Sequence, residues 1–263
     1  LTWSDDKWPT CAHGGIIPSY GIGHSEAQWF VRGVPNVKKA FAKVWATDDL
    51  LTSFDGVSLW RPWNIDPSWK TQSGQAWFHI DQHPISKPGK QCIQGLINLL
   101  PTSKEIGGNV VIPKSHNFFK DIPEEYKERV ERLPLDIDHF RFPHDDPKLS
   151  SEPAVMAHME PGDMLLWDSR TIHCSSSGSS LPEGTNDLIR AASLICMMPK
   201  ELSSKEILEK RIHAAENLVS TTNWTNDFRN ADEFPIILEA ENRDQYKWPK
   251  KPNLSDYQKE LIA

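Results

Sequence analysis

Cysteine is scarce in this chain: Cys11, Cys92, Cys174 and Cys196 are the four in 263 residues, and no pair stands at Cys-x-x-Cys spacing. That excludes a zinc knuckle and a disulfide framework, and the expectation is reduced thiols in a cytoplasmic setting. No apolar run approaches the roughly 18 residues of a membrane-spanning helix, and no signal-peptide pattern opens the chain. No glycine-rich phosphate loop follows a strand, and no internal repeat is visible. The His-x-Glu and Pro-Cys-x-x-Cys pair of a zinc deaminase is missing too. Basic residues are outnumbered, with 29 Lys and Arg against 36 Asp and Glu and a net charge of -7. Broad binding to a nucleic-acid backbone needs clustered cations, so nucleic acid is not the expected partner.

What is present is globular: 38% hydrophobic and 25% charged residues, cut into short elements by 20 prolines and 14 glycines. One core suffices for this length. We expect a single domain over 1–263, with an N-terminal loop and helices over 1–49, a β core over 50–200, and a C-terminal helix and tail over 201–263. Residues 1–24 show no period and read as a loop draped over the core. Ser25 reads as a helix cap, and short helices follow over 27–32 and from Pro35 to Trp45. Strand-like segments then dominate: 57–63, 75–82, 91–100, 107–113, 154–159, 164–173 and 188–198. A charged helix is expected over 120–133, then a loop rich in Pro and Asp over 134–153. Beyond Pro199, Ser203 or Ser204 caps a helix whose apolar stripe is Ile207, Leu208, Ile212, Ala215 and Leu218. The tail, 220–263, is polar and is expected to wrap the outside. Many short strands flanked by helices point to a mainly β barrel or jelly roll rather than a βαβ fold. The 11 tryptophans are many for this length, a surplus that suits an aromatic-walled pocket.

The chemistry centres on Gln75-Ala-Trp-Phe-His-Ile-Asp-Gln82. Alternate side chains of a strand share a face, so Trp77, His79 and Asp81 point the same way. An imidazole and a carboxylate on one face need one more histidine to form a 2-His-1-carboxylate facial triad, which binds iron(II) and leaves coordination positions open. His173, at the end of the strand over 164–173, is the candidate third ligand. Thr171, Ser169 and Trp167 would face inward with it, and Asp168 and Arg170 outward. On the next strand Arg190 stands out, because a buried guanidinium is rare unless it grips an anion, and its planar fork suits a carboxylate. An open metal site, Arg190 and the Ser175 hydroxyl together suit a bidentate 2-oxo acid with a distal carboxylate.

The order of these motifs resembles a known family. His79-x-Asp81, the run Gly107-Gly-Asn-Val-Val-Ile-Pro-Lys-Ser-His116, the run Pro161-Gly-Asp-Met-Leu-Leu-Trp-Asp-Ser-Arg-Thr-Ile-His173 and the later Arg190 carry the likeness. They are similar to the phytanoyl-CoA dioxygenase-like branch of iron(II)/2-oxoglutarate-dependent oxygenases, over roughly residues 50–200. The resemblance implies a double-stranded β-helix of jelly-roll or cupin type with flanking α-helices. It implies His79, Asp81 and His173 as the iron ligands and catalytic residues, and Arg190, helped by Ser175, as the clamp on the C5 carboxylate of 2-oxoglutarate. It also implies O2 as cosubstrate, with ascorbate supporting activity in vitro, and succinate and CO2 as products. Halogenating members of this fold replace the carboxylate ligand by a small residue. Asp81 fills that place, so oxygenation or desaturation is expected. Two positions depart from the family pattern: Lys114 stands where glycine usually precedes Ser-His, and the loop over 174–189 is longer than usual.

Gln94 and Asn98 share a face of the strand over 91–100, and buried amides are costly unless bonded. They contact the cosubstrate or substrate, or else form a buried network away from the metal. Trp60, Arg61 and Trp77 flank the site in sequence and are candidates for substrate contact, with core packing as the alternative. His83 and His116 read as ordinary loop histidines, with His83 near enough to support a ligand. The expected function is oxidation of an unactivated C–H bond of a small molecule by hydroxylation, desaturation or oxidative cyclisation, in secondary metabolism or in amino-acid or lipid modification, by a monomer. The alternatives are a nucleobase- or protein-modifying oxygenase of the same superfamily, which needs an open basic groove, and a non-catalytic β-barrel binding protein, which would have lost a ligand.

Overall fold

The short apolar segments pair into two antiparallel sheets. A computed structural model describes residues 3, 8–9, 11, 15–71, 77–239 and 248–263. The strands in chain order are β1 (Ile16–Ile17), β2 (Leu50–Thr52), β3 (Val57–Trp60), β4 (His79–Asp81), β5 (Ile93–Asn98) and β6 (Gly107–Val111). They continue with β7 (His139–Arg141), β8 (Val155–Met156), β9 (Met164–Asp168), β10 (His173–Ser177) and β11 (Arg190–Pro199). One sheet runs β1-β3-β11-β5-β9, with β2 also paired to β11, and the other runs β7-β4-β10-β6-β8. Together they form the mainly β, jelly-roll core with flanking helices that the sequence led us to expect. β11 is buried on both faces. Ile195 and Met197 pack with Val37 and Phe41 of the helical layer, while Ala192 and Leu194 pack with Leu96 and Met159 on the other side. Burial on both sides removes the need for polar alternation, so this strand reads as a continuous apolar run.

The helices are α1 (Glu26–Arg32), α2 (Pro35–Trp45), α3 (Ile122–Glu125), α4 (Lys127–Glu131), α5 (Lys205–Asn217), α6 (Pro235–Leu238) and α7 (Asp256–Glu260). Ser25 caps α1 by accepting from the Gln28 N–H, and Ser204 caps α5 by accepting from the Ile207 N–H. The continuous helix expected over 120–133 is instead broken at Tyr126, whose φ of -116° and ψ of 33° leave helical geometry. The face of α5 also differs from expectation. It buries Arg211 and Ala214, whereas Ile212 is 45% exposed. The Arg211 guanidinium donates to the carbonyls of Thr52, Leu261 and Ile262, so its burial is compensated by hydrogen bonds. The tail is more than an outer wrap, because Trp224 and Leu261 are fully buried.

The segment 164–173 is two strands in different sheets rather than one. Asp168 accounts for the break: its carboxylate accepts from Arg170 N and Nε at 3.0 and 2.8 Å, and its carbonyl accepts from Thr171 N–H at 2.9 Å. This turn carries the chain from one layer to the other, so His173 opens β10 instead of closing β9. At the start of β6, Gly107 has φ of 100°, and a Cβ there would collide with the Ser176 carbonyl. Of the strand expected over 75–82, residues 79–81 form β4, and 75–76 lie outside the described residues. The loop expected over 134–153 contains β7, which is too short to show a period. No helix among the described residues is long and apolar enough to cross a membrane.

Candidate metal centre

Strand register brings the two histidines face to face. His173 is the direct antiparallel partner of His79, and their ring centroids lie 4.4 Å apart. Asp81, one pleat along β4, places Oδ1 3.4 Å from His79 Nε2 and Oδ2 3.3 Å from His173 Nε2. One donor atom from each of the three lies within 4.8 Å of the others.

The tautomers follow from the hydrogen bonds on the far side of each ring. His79 Nδ1 lies 2.9 Å from the Trp77 carbonyl, and His173 Nδ1 lies 2.8 Å from the Thr171 carbonyl. A carbonyl oxygen only accepts, so each Nδ1 carries the proton and each Nε2 presents a lone pair. Two lone pairs and a carboxylate then converge on one point, an arrangement that is unfavourable by itself and favourable around a divalent cation. Burial pushes the His79 imidazole down to about 4, which keeps it neutral and ligand-competent at neutral pH. Burial alone would raise the Asp81 carboxyl, but the facing imidazoles of His79, His139 and His173 outweigh it, so Asp81 ionises well below the usual carboxylate range.

These residues line a cavity of about 320 Å³ with walls from both sheets. Arg190, the first residue of β11, lies in the same cavity. It is buried, it donates from Nη1 to Ser175 Oγ at 2.8 Å, and its guanidinium lies over the Trp60 ring at 4.6 Å. Arg190 Nε has no partner, and among the described residues no carboxylate lies within 4.0 Å of it. Burial pushes its pKa down to about 10, which still leaves a full charge at neutral pH. A buried, partly unpaired cation facing a cavity is a site for an anion.

The other sequence candidates divide. Gln94 lines the cavity and donates from Nε2 to Asp81 Oδ2 at 3.0 Å, so it engages a candidate ligand directly. Trp77 stacks on His79 at 4.8 Å and donates from Nε1 to the Ser175 carbonyl at 2.9 Å. Trp60 lies beneath Arg190 but does not line the cavity. Two further candidates also lie outside this cavity wall. Arg61 packs against Trp8 and Trp69 at 5.0 and 4.2 Å, and Asn98 is buried at the far end of β5 with its amide unpartnered. His83 Nδ1 accepts from the N–H groups of Ile85 and Ser86, which makes it a turn residue. Sequence reading missed His139, opposite Asp81 in register, with Nδ1 3.5 Å from Asp81 Oδ1 and its ring 4.4 Å from that of His79. It also missed Asn109, which faces Ser175 across β6 and β10 and lines the cavity with an unpartnered amide oxygen. The triplet containing Asn109 was visible in the Gly-Gly-Asn run, but its inward direction depended on the register.

The family model for phytanoyl-CoA dioxygenase (PhyH) matches residues 59–181. Ava biosynthesis cluster protein O of Aspergillus versicolor is 33% identical over 229 residues, covering 84% of this chain and 70% of that protein. The chain belongs to the phytanoyl-CoA dioxygenase family. A Dictyostelium discoideum protein described as a candidate phytanoyl-CoA dioxygenase is 22% identical over 251 residues, covering 82% of this chain and 67% of its own length. Among solved structures, GlcNAc Inducible Gene 2 (GIG2) from Candida albicans shares the fold with a TM-score of 0.50 at 13% identity, over 93% of this chain and 70% of that one. Membership in the phytanoyl-CoA dioxygenase family makes this chain a dioxygenase and implies iron(II) and 2-oxoglutarate, which fit the donor set and the cationic cavity end described above.

Proposed function

We propose that this phytanoyl-CoA dioxygenase family member oxidises an unactivated C–H bond of a small molecule, by hydroxylation, desaturation or oxidative cyclisation, with O2 as oxidant and succinate and CO2 as products. In this reading His79, Asp81 and His173 hold iron(II), and Arg190 with Ser175 binds the distal carboxylate of 2-oxoglutarate. The observation that carries it is the pair of Nε2 lone pairs facing Asp81 in one cavity with a partly unpaired Arg190. Oxygen activation coupled to decarboxylation of the 2-oxo acid is the chemistry iron supplies when bound. The chain's own part is to orient and to exclude water. Gln94 and His139 hold the carboxylate of Asp81, and the Trp77 and Trp167 rings wall the two histidines at 4.8 and 5.4 Å.

A small molecule is favoured over a nucleobase or a protein segment because the site is a cavity of about 320 Å³ whose wall carries one cationic residue, Arg190, among the described residues. The name of the Aspergillus versicolor relative, a biosynthesis cluster protein, supports a place in secondary metabolism. Four free thiols support a reducing, cytoplasmic compartment, and we take the working unit to be a monomer.

The test is an anaerobic titration of the purified chain with iron(II) and then 2-oxoglutarate, followed by a metabolite screen for compounds that stimulate succinate release in the presence of ascorbate. Stoichiometric iron(II) binding that His79→Ala and Asp81→Ala abolish is the expected result. Full iron binding in either variant would overturn the ligand set.

A further inference from the structure

The cavity has a second polar end, away from Arg190. Arg190 and Cys196 both line it, and they are separated along β11 by roughly 20 Å at about 3.3 Å per residue. Backbone hydrogen bonds place Asp55 beside the Cys196 end. Leu194 N–H donates to the Gly56 carbonyl at 3.2 Å, and Ser53 N–H donates to the Cys196 carbonyl at 2.8 Å. The segment after α5 closes the same end, because Thr221 N–H donates to the Phe54 carbonyl at 3.0 Å and Phe54 N–H donates to Thr221 Oγ1 at 3.2 Å. Asp55, Thr222 and Asn223 all line the cavity there.

This end is rich in acceptors and has no cation in its wall among the described residues. Asp55 Oδ1 accepts from Gly56 N–H at 2.7 Å, and no ion pair within 4.0 Å involves this carboxylate among the described residues. Its cationic neighbour, Arg32, donates instead to the backbone carbonyls of Gly23 and Asp55. Thr222 Oγ1 is buried without a partner. Burial pushes the Asp55 carboxyl up to about 6, which leaves it ionised at neutral pH. A desolvated carboxylate with one hydrogen bond is costly unless a donor meets it. The wall also offers apolar surface from Ile16, Pro18, Leu194 and Phe234.

We propose that the substrate has an apolar body and a cationic nitrogen, ammonium or guanidinium, that pairs with Asp55 at the end of the cavity opposite Arg190. The proposal rests on the oxygenase reading above and adds to it the charge and orientation of the substrate. Opposite charges at the two ends sort the ligands: 2-oxoglutarate is drawn to Arg190 and repelled by Asp55, and a cationic substrate does the reverse. The competing structural role is that Asp55 only fixes the turn at Gly56 and offsets the charge of Arg32. That role predicts no preference among ligands.

The experiment is calorimetric titration of the protein loaded anaerobically with iron(II) and 2-oxoglutarate, using four probes of matched length: hexylammonium, hexylguanidinium, 1-hexanol and hexanoate. A charge-assisted hydrogen bond is worth enough that both cations should bind about tenfold or more tighter than hexanol, with hexanoate weakest. Asp55→Asn should bring the cations to within about twofold of hexanol. Hexanol or hexanoate binding as tightly as the cations, or a preference that survives Asp55→Asn, overturns the proposal. Should Asp55→Asn not fold, Thr222→Val takes its place: cation affinity should fall severalfold with hexanol unchanged, and unchanged cation affinity overturns it. Wild-type protein that binds neither iron(II) nor 2-oxoglutarate marks failure of the metal-centre reading. Binding of both without a cation preference marks failure of this one.

Discussion

Gln94 reaches from one sheet to the other and donates from Nε2 to Asp81 Oδ2 at 3.0 Å. The opposite oxygen, Oδ1, lies 3.5 Å from His139 Nδ1. The carboxylate is therefore held from both sides, and its direction does not depend on the β4 backbone alone. Groups that orient a metal ligand in this way fix its direction and basicity, and their loss weakens metal binding.

Gln94→Leu should therefore weaken iron(II) binding by about 10- to 100-fold while all three candidate ligands remain. Anaerobic titration measures it, with the thermal midpoint as a control for folding. An unchanged affinity would show that β4 alone orients Asp81.

Arg190 is buried, stacked on Trp60 and bonded to Ser175. Arg190→Ala should raise the KM for 2-oxoglutarate by about 10- to 100-fold, the loss expected for a charge-assisted hydrogen bond, with a smaller effect on kcat. Arg190→Lys should recover only part of it, because an ammonium lacks the planar fork. Equal KM values across the three proteins would move the anion site elsewhere.

His24 is 1% exposed, and its Nε2 lies 2.9 Å from the Val219 carbonyl. Burial, with Arg32 nearby, pushes its pKa down to about 3. The unfolded chain takes up that proton near pH 6.5, so between about 6.5 and 3 the unfolded state binds more protons. Stability attributable to His24 is thus present above pH 6.5 and falls by about 1.4 kcal/mol per pH unit as the pH drops. Urea unfolding at several pH values should show a shallower acid slope for His24→Gln than for the wild type, and identical slopes would refute it.

Lys114 occupies the left-handed region at φ 63° and ψ -1°, in the position where the family usually has glycine. A side chain there costs roughly 1–2 kcal/mol, and glycine returns part of this as unfolded-state entropy. The ion pair with Glu152 that would be lost is exposed and worth little. Lys114→Gly should stabilise the protein by about 1 kcal/mol or less, read from the urea midpoint at constant m-value.

Much of the β core was legible because its strands alternate or run apolar over four or more residues. β7 is too short for that, and the 164–173 segment reads as one strand because nothing in its hydropathy marks the turn. The turn is made by Asp168 bonding to Arg170, a local polar contact that a pattern of apolar residues does not register. The face of α5 was misjudged for a related reason: an arginine can be the buried residue when backbone carbonyls meet its guanidinium.

By itself the sequence determined which chemical groups are available and, through the two-residue period of a strand, that His79 and Asp81 share a face. It also carried the order of motifs by which the family can be recognised. The tertiary structure alone decided who meets them: His173 through the β4–β10 register, His139 through β7, Gln94 from the opposite sheet, and Asp55 at the far end of the cavity. Strand register between segments far apart in the chain is set by packing of the whole core, and a shift of one residue would turn His173, His139 or Gln94 to the other face of its sheet.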